Sequence, residues 1–418
     1  GTMAEPEKYY ASPTPIGVWN NCRRKRFLEY HAKGMGIQKV GMAVGLSTGS
    51  LFHKMLEGVT KYISENKKTI PEEELDKVIS ASQEDYTKEC RERPLVSPAP
   101  EAESRRQAAL AESLARGWVH YRLPRLLERY EIIASEKEEW ITLGDGVKIM
   151  RRSDAVLERR ADGALFVMDF KTTGRAITDK ILENWKYAFA LHADALSVEQ
   201  NMGRPCMGVL IELVCTGGRN KTTKEAISHP TGVISYSKFV RGYRYPEAPT
   251  NMARGISGSP TTWVHSLKPT KGKIWNSFEL SDGEGLEEGA YPGGVKGWVA
   301  EKITDEVFQE TFFSHTINKT QTEMERWAKQ TSAQELFIRE GLEAMKTDPE
   351  GTLDRYFPGN FDQGCHNHPL YHNKCNMFDC CFGNKGIDEL INEGTYKQRE
   401  PHYEKEIEGR KQNGSSAD

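Results

Sequence analysis

The chain contains no run of about 18 apolar residues, the length a helix needs to cross a bilayer. It also has no secretory apolar region, so a soluble protein of the cytoplasm is expected. There is no excess of one charge: Lys and Arg number 57 against 60 Asp and Glu, a net charge of −3. A globally basic nucleic-acid binder is thereby excluded, and any contact with a polyanion must come from local patches. No Gly-x4-Gly-Lys-Ser/Thr is present, so a P-loop motor or helicase is excluded as well. No internal repeat is visible. Cysteine is sparse until the end: of eight, four (Cys365, Cys375, Cys380 and Cys381) fall in the last sixty residues. In a chain without a secretion signal, that crowding favours a metal or cluster site over disulfides. What is there is a length of 418 residues, 37% hydrophobic and 28% charged, enough for a sizeable core and two or three structural units. Gly1-Thr2 ahead of Met3 reads as a cloning remnant and is set aside.

Six segments are expected. Residues 3–63 carry a basic run and then a helix in which Leu51, Phe52, Met55 and Leu56 share a face, with His53 near its start. Residues 64–135 read as helical arms, broken by the proline-rich stretch 94–100. Residues 136–215 read as a mixed α/β core with the order strand, strand, helix (183–202), strand (207–214). Residues 216–300, rich in Gly, Ser, Thr and Pro, read as an irregular insertion or binding loop. The segment 301–394 returns to helix over 301–347, with Phe308, Phe312, Trp327, Leu336, Leu342 and Met345 as buried positions, and then carries the cysteines. Residues 395–418 form a charged tail expected to fray.

The chemistry sits in the core segment. The apolar run Leu165-Phe166-Val167-Met168 ends in Asp169-Phe170-Lys171. Asp154 lies in an earlier strand-like run, Val147 to Leu157, and Asp162-Gly163 between the two is a strong two-residue hairpin signal. The local reading is two antiparallel strands that bring Asp154, Asp169 and Lys171 together. Two carboxylates beside an ammonium suit metal-dependent phosphodiester hydrolysis. The carboxylates offer hard oxygen ligands to Mg²⁺, and the lysine orients water or stabilises charge. A strand-end salt bridge on a solvated hairpin is the plain structural alternative.

Taken in order, these residues resemble the RecB-like branch of the PD-(D/E)XK nuclease superfamily. Cys22-Arg23-Arg24-Lys25-Arg26-Phe27-Leu28-Glu29-Tyr30 is similar to the family's Cys-Pro-Arg-Arg-Phe-x-Leu-x-Tyr opening, with Arg23 where proline is usual. Gly49-Ser50-Leu51-Phe52-His53 resembles its Gly-x-x-x-His helix. Arg151 to Asp154 occupies its Gly-x-x-Asp strand, with Arg151 in place of the glycine. Asp169-Phe170-Lys171-Thr172-Thr173-Gly174 resembles its Asp-Tyr-Lys-Thr-Gly element. The resemblance implies an α/β restriction-endonuclease-like core with helical N-terminal arms and a C-terminal cysteine-rich, cluster-binding lobe. It implies that His53, Asp154, Asp169 and the Phe170 carbonyl bind Mg²⁺ or Mn²⁺ and that Lys171 is the catalytic lysine. The family's Gln-x-x-x-Tyr helix departs here, with His192 at the Gln position and Leu196 at the Tyr position. His192 is carried as a fourth catalytic candidate, since imidazole both donates and accepts; an ordinary helix residue is the alternative.

Relatives of this kind, including iron–sulfur CRISPR-associated and phage exonucleases, pair an early cysteine with three late ones around a [4Fe–4S] cluster. The resemblance implies Cys22, Cys365, Cys375 and Cys380 as ligands here, with Cys381 competing for the fourth place and Zn²⁺ as the alternative metal. Four thiolates suit such a cluster, though the usual Cys-x2-Cys-x5-Cys spacing is absent. Arg23, Arg24 and Arg26 are candidates for phosphate contact. Lys238, Arg241 and Tyr243, in a stretch that interleaves bases and aromatics, are candidates for stacking on single strands. The expected function is a metal-dependent DNA nuclease, an exonuclease on single strands or ends, in phage DNA processing, recombination or repair. A homo-oligomer or a recombination partner protein is expected, and the host cytoplasm as its place if it is phage-encoded. Two alternatives stand: a weak or inactive DNA-binding or assembly protein on the same fold, and a sequence-specific endonuclease with 216–300 as its reader.

Overall fold

The computed structural model describes residues 11–97, 100–173, 179–186, 188, 190–215, 311–366 and 374–402, with positions 266–267, 278–279, 296 and 406 besides. The chain opens with helices α1 (Pro13–Asn21) and α2 (Arg23–Tyr30) and a short strand, β1 (Ile37–Lys39). Helix α3 (Val44–Asn66) buries Leu51, Phe52, Met55, Leu56, Val59 and Ile63, the stripe of an amphipathic helix. Helix α4 (Glu72–Glu92) starts with three glutamates, where the helix dipole favours negative charge. After the proline-rich break comes α5 (Pro100–Gly117), which continues through a π-helical turn (Trp118–Arg122) into α6 (Leu123–Arg129).

Strand β2 (Tyr130–Gly144) begins directly after α6, inside the region read as helical from sequence. The helical reading ran too far because the alternating buried Tyr130 and Ile132 stand in a charged stretch whose period is hard to see. β3 (Val147–Arg159) and β4 (Leu165–Thr173) follow as an antiparallel pair, joined not by the expected two-residue turn but by a loop over 160–163 that the Arg159 N–H to Ala164 carbonyl bond closes, with Gly163 at φ 73°, a left-handed conformation that glycine adopts without strain. The helix expected over 183–202 is two: α7 (Asp179–Lys186) and α8 (Ala190–Met202). β5 (Cys206–Cys215) then returns parallel to β4, which requires a crossover of this length. Two-residue strands β6 (Ser266–Leu267) and β7 (Phe278–Glu279) pair with each other; apart from position 296, the rest of the expected 216–300 insertion lies outside the described residues.

Helix was expected throughout 301–347, but β8 (Phe312–Asn318) is a strand paired antiparallel with β5. Its aromatic and β-branched residues suit a pleated surface, and the open edge of β5 decides the matter. The result is one mixed five-stranded sheet of order β2-β3-β4-β5-β8. Strand β4 is buried on both faces: Phe166, Met168 and Phe170 join the core with α3 and α5, while Leu165 and Val167 join the core with α8.

Helix α9 (Gln321–Ala344) opens on a capping box between Thr320 and Glu323. It buries Trp327 as expected but leaves Leu336 exposed, because Leu336 lies off the buried stripe of Met324, Trp327, Ala328 and Thr331. Phe308 lies outside the described residues. Helices α10 (Pro349–Tyr356), α11 (Gln363–His366), α12 (Phe378–Phe382) and α13 (Ile387–Asn392) lead to β9 (Tyr396–Gln398). The segment from 395, expected to fray, starts as a strand: β9 pairs with β1, and Tyr396 is 1% exposed. Its ring completes a small core with Leu28, Ile37, Met377 and Leu390, so the two ends of the chain are stitched together.

Candidate active site

β3 and β4 pair from Glu158/Leu165 to Ala155/Met168. One step further, the contact changes character: the Asp154 side chain, through Oδ2, accepts the Phe170 N–H at 2.7 Å. The parting strands leave a notch there. A residue's N–H and C=O leave a strand on the same side, so the Phe170 carbonyl faces that notch too. Asp169 and Lys171, two apart on β4, share one face. The Lys171 Nζ lies 3.2 Å from Asp169 Oδ1 and 3.1 Å from Oδ2, with the Trp185 ring 5.4 Å from the ammonium.

His53 comes from α3 and puts Nδ1 3.5 Å from Asp154 Oδ1. The helix approaches β4 closely because Gly49, one turn earlier on the same face, has no side chain; a Cβ there would stand 3.1 Å from Thr172 Oγ1. Phe52 and His53 both meet the Phe170 ring edge-on. The glycine and histidine four apart thus have one joint geometric cause.

The two aspartates differ electrostatically. For Asp154, burial raises the carboxyl, but the His53 contact, the Phe170 N–H and Lys171 together outweigh it and hold it below the usual carboxylate range. Asp169 is pushed up to about 6, by burial first and then by the neighbouring Asp154 and Asp194, against the pull of Lys171 and Arg151. For Lys171, burial works downward, yet the attraction of Asp169 wins and the ammonium holds its proton above the ordinary value. Two carboxylates in one buried notch repel each other, and a cation between them relieves that repulsion.

A third carboxylate was missed from sequence. Asp194 on α8 is fully buried and takes the Arg151 Nε on Oδ1; burial raises it above the usual range although Arg151 opposes this. The signal was an acidic residue amid Leu191, Ala193, Ala195 and Val198, all of them buried. His192, two residues earlier, is about 200° round the helix from Asp194. Its ring stacks on Trp327 (6.0 Å, 9°) and its Nε2 is 3.2 Å from the Lys319 Nζ. The structure therefore gathers His53, Asp154, Asp169, Phe170 and Lys171, adds Arg151 and Asp194, and sets His192 against α9. Leu196 packs beside Trp327 and Ala193.

The basic run is mostly not a surface for phosphate. Arg26 is 0% exposed and locked in a two-pronged pair with Glu335, NH1–Oε1 and NH2–Oε2 both at 3.1 Å. Its assignment to nucleic acid is corrected: a guanidinium so enclosed cannot reach a phosphate. Arg24 is turned to the Phe357 carbonyl at 2.8 Å and to Asp354. Arg23 is exposed and lies over Trp19 at 4.8 Å. Lys238, Arg241 and Tyr243 lie outside the described residues.

Cys22 sits between α1 and α2. Its charge is among the causes that raise Cys375 and Cys381, while burial is the larger cause of their upward shift, to about 11 for Cys381. Cys380 is raised chiefly by burial and faces the Tyr396 hydroxyl. The Cys375 N–H bonds the Cys365 carbonyl at 2.8 Å. The early and late cysteines are neighbours, but among the described residues no group of three or more His, Cys, Asp or Glu is placed to hold a metal ion. Neither the expected cluster nor the catalytic ion finds a ready-made cage.

Among the described residues, no helix is long and apolar enough to cross a membrane. Compared with known proteins, the chain matches the sequence model of the PD-(D/E)XK nuclease superfamily over residues 10–228, which is 219 of 418. The match spans every residue of the notch, from His53 to Asp194, and leaves the late cysteines outside. No curated protein matches the chain.

Proposed function

Because the chain belongs to the PD-(D/E)XK nuclease superfamily, whose members are typically metal-dependent nucleases, we propose that it hydrolyses DNA phosphodiesters with Mg²⁺ or Mn²⁺, as a RecB-like exonuclease acting on single strands or ends. The observation that carries the reading is the meeting of half-buried Asp154 and Lys171 with buried Asp169 where β3 and β4 part, with His53 delivered by α3.

The donor set suits a hard divalent cation: two facing carboxylates, a strand carbonyl and an imidazole nitrogen. Asp169, raised by burial and by Asp154 and Asp194 against the pull of Lys171 and Arg151, supports a notch where a further cation would be favourable. His53, Asp154, Asp169 and the Phe170 carbonyl would hold the ion. When bound, it supplies positive charge at the scissile phosphate and acidifies water.

The chain's own residues do the rest. Asp154 is ionised at neutral pH, so it accepts and does not donate. The Phe170 N–H fixes one of its oxygens and leaves the other toward His53. Lys171 keeps its proton, so it acts as a donor that orients water and stabilises charge on the phosphate, not as a general base. The Trp185 ring lies 5.4 Å from its ammonium. His192 could reach substrate only by leaving Trp327, and Arg23 is the member of the basic run available to the backbone of DNA.

A [4Fe–4S] cluster on Cys22, Cys365, Cys375 and either Cys380 or Cys381 forms the second part of the proposal, with Zn²⁺ as the alternative. What supports it is the approach of Cys22 to Cys375 and Cys381 across more than 350 residues of chain.

End-labelled single-stranded, linear duplex and closed circular DNA, each with Mg²⁺, Mn²⁺ or EDTA, test the first part. Metal-dependent nucleotide release from ends is expected, with Lys171→Ala more than 100-fold slower and DNA binding largely kept, because Lys171 acts on the transition state. Cutting of closed circles would move the reading to an endonuclease. Absence of any cleavage would leave a DNA-binding protein on this fold.

A further inference from the structure

Four basic side chains among the described residues are buried: Arg26, Arg116, Lys319 and Arg399. The three arginines each face a carboxylate: Glu335 at 3.1 Å, Asp76 at 2.8 Å and, for Arg399, Glu406. Lys319 is 6% exposed and has no carboxylate within ion-pair distance among the described residues. Its Nζ donates instead to the Lys186 carbonyl at 2.8 Å and lies 3.2 Å from the His192 Nε2. An ammonium only donates, so the ring nitrogen accepts. Burying a charge without a counter-ion is expensive, and burial accordingly pulls the Lys319 ammonium below its ordinary range, against the attraction of Glu323. For packing alone an apolar side chain would serve better. What the charge does is close the C-terminal end of α7, where the helix dipole favours a cation; Lys186 is the last residue of that helix. The residue before it is Trp185, whose ring is 5.4 Å from the Lys171 ammonium, within the range of a cation–π contact. A chain of contacts thus runs from the edge of the sheet to the notch. Lys319 directly follows edge strand β8, and its N–H is bonded to the Met207 carbonyl at 3.2 Å. Its ammonium holds the end of α7, and α7 holds Trp185 against Lys171. His192, its ring stacked on Trp327, gives the ammonium a second acceptor.

We propose that Lys319 and His192 are positioning residues that fix the end of α7, so that Trp185 keeps the Lys171 ammonium in place for the reaction. This deepens the nuclease reading and rests on it for the role of Lys171. Asp169 also holds that ammonium, through both of its oxygens. A carboxylate that serves a second cation holds the ammonium less firmly, whereas the uncharged ring keeps its hold. His192 thereby has a part in the site that needs no contact with substrate.

The test is Lys319→Met, which keeps a side chain of similar length and removes the charge. Cleavage of a single-stranded oligonucleotide with Mn²⁺, the thermal midpoint, and acrylamide quenching of Trp185 are measured. The quenching is read as the difference between each protein and its Trp185→Phe form. Lys319→Met should melt no lower than wild type, because a buried charge without a counter-ion is gone. Its kcat should nevertheless fall about tenfold or more, the scale of a small misplacement at the reacting centre. KM should stay within about threefold, since Lys171 acts on the transition state. Trp185 should become easier to quench. Trp185→Ala should lose kcat to a similar extent, and joining it to Lys319→Met should add little, because the two act in series. Lys319→Gln, which can still donate to the Lys186 carbonyl, should retain more activity than Lys319→Met. A folded Lys319→Met protein with wild-type kcat overturns the inference, and so does one that loses kcat with a lower thermal midpoint and unchanged Trp185 quenching. If Lys171→Ala is then inactive, the nuclease reading stands alone. If Lys319→Met does not fold, His192→Leu decides: it should lower kcat and raise the quenching together, and wild-type values of both overturn the inference. A wild-type protein that cleaves no DNA with either metal removes the nuclease reading and this inference with it.

Discussion

Asp169→Asn should abolish cleavage and yet stabilise the metal-free protein at neutral pH. The wild-type carboxyl is pushed up to about 6 by burial and by Asp154 and Asp194, against about 3.9 when unfolded. A folded-state pKa above the unfolded one means the native state binds the proton more tightly. The stability this group contributes is therefore fully present below about pH 4 and is lost as pH rises through about 6. At about 1.4 kcal/mol per pKa unit, the ionised carboxylate weakens the metal-free fold by about 3 kcal/mol at pH 7.5. That figure already contains the attraction of Lys171, because the ammonium helps set the pKa. Asparagine keeps the shape of the neutral carboxyl and removes the charge. Thermal melts of both proteins in EDTA at pH 5.0, 6.0 and 7.5 should show the variant more stable at 7.5, with the gap closing toward pH 5. Adding Mg²⁺ or Mn²⁺ should raise the wild type, by about 2.7 kcal/mol at one hundred times Kd, and barely move the variant. A variant less stable than wild type by the same margin at all three pH values would refute the reasoning: Asp169 would then be a structural partner of Lys171 and not a crowded ligand.

Arg26→Met should cost about 3–5 kcal/mol in urea unfolding, because Glu335 is left charged and buried, while adding Glu335→Leu should recover most of that loss; recovery without the second change would mean the pair carries no weight. Gly49→Ala should lower cleavage a few-fold, because its Cβ, 3.1 Å from Thr172 Oγ1, makes that hydroxyl give way by a few tenths of an ångström. Gly49→Val, whose branches cannot fit where a Cβ already stands 3.1 Å from Thr172 Oγ1, should push α3 from β4 and lower cleavage at least tenfold in a folded protein. Cys22→Ser and Cys375→Ser should each lose iron and thermal stability in anaerobically purified protein, and combined should add little, since residues of one site are not additive. Cys90→Ser, packed by α3, is the control; a colourless wild type with stoichiometric zinc would leave the zinc alternative.

The sequence by itself determined the local parts. The Asp162-Gly163 signal between two apolar runs placed the β3–β4 hairpin, although the loop that closes it spans 160–163 and not two residues. Strand period then put Asp169 and Lys171 on one face, and helical period put Gly49 and His53 on another. Those repeats are short-range, so a window of ten residues carries them. Long-range competition decided the rest. Phe312–Asn318 became a strand because β5 offered an open edge. The tail from 395 became ordered because Tyr396 found a place in a core built from the other end of the chain. Arg26 looks like its neighbours in sequence, and only Glu335, 309 residues away, makes it structural. Asp194 and Arg151 were invisible as a pair for the same reason: 43 residues separate them, and nothing in either segment requires the other until α8 is laid across β3. Charge in a buried place takes its meaning from what faces it, and that is set by tertiary packing alone.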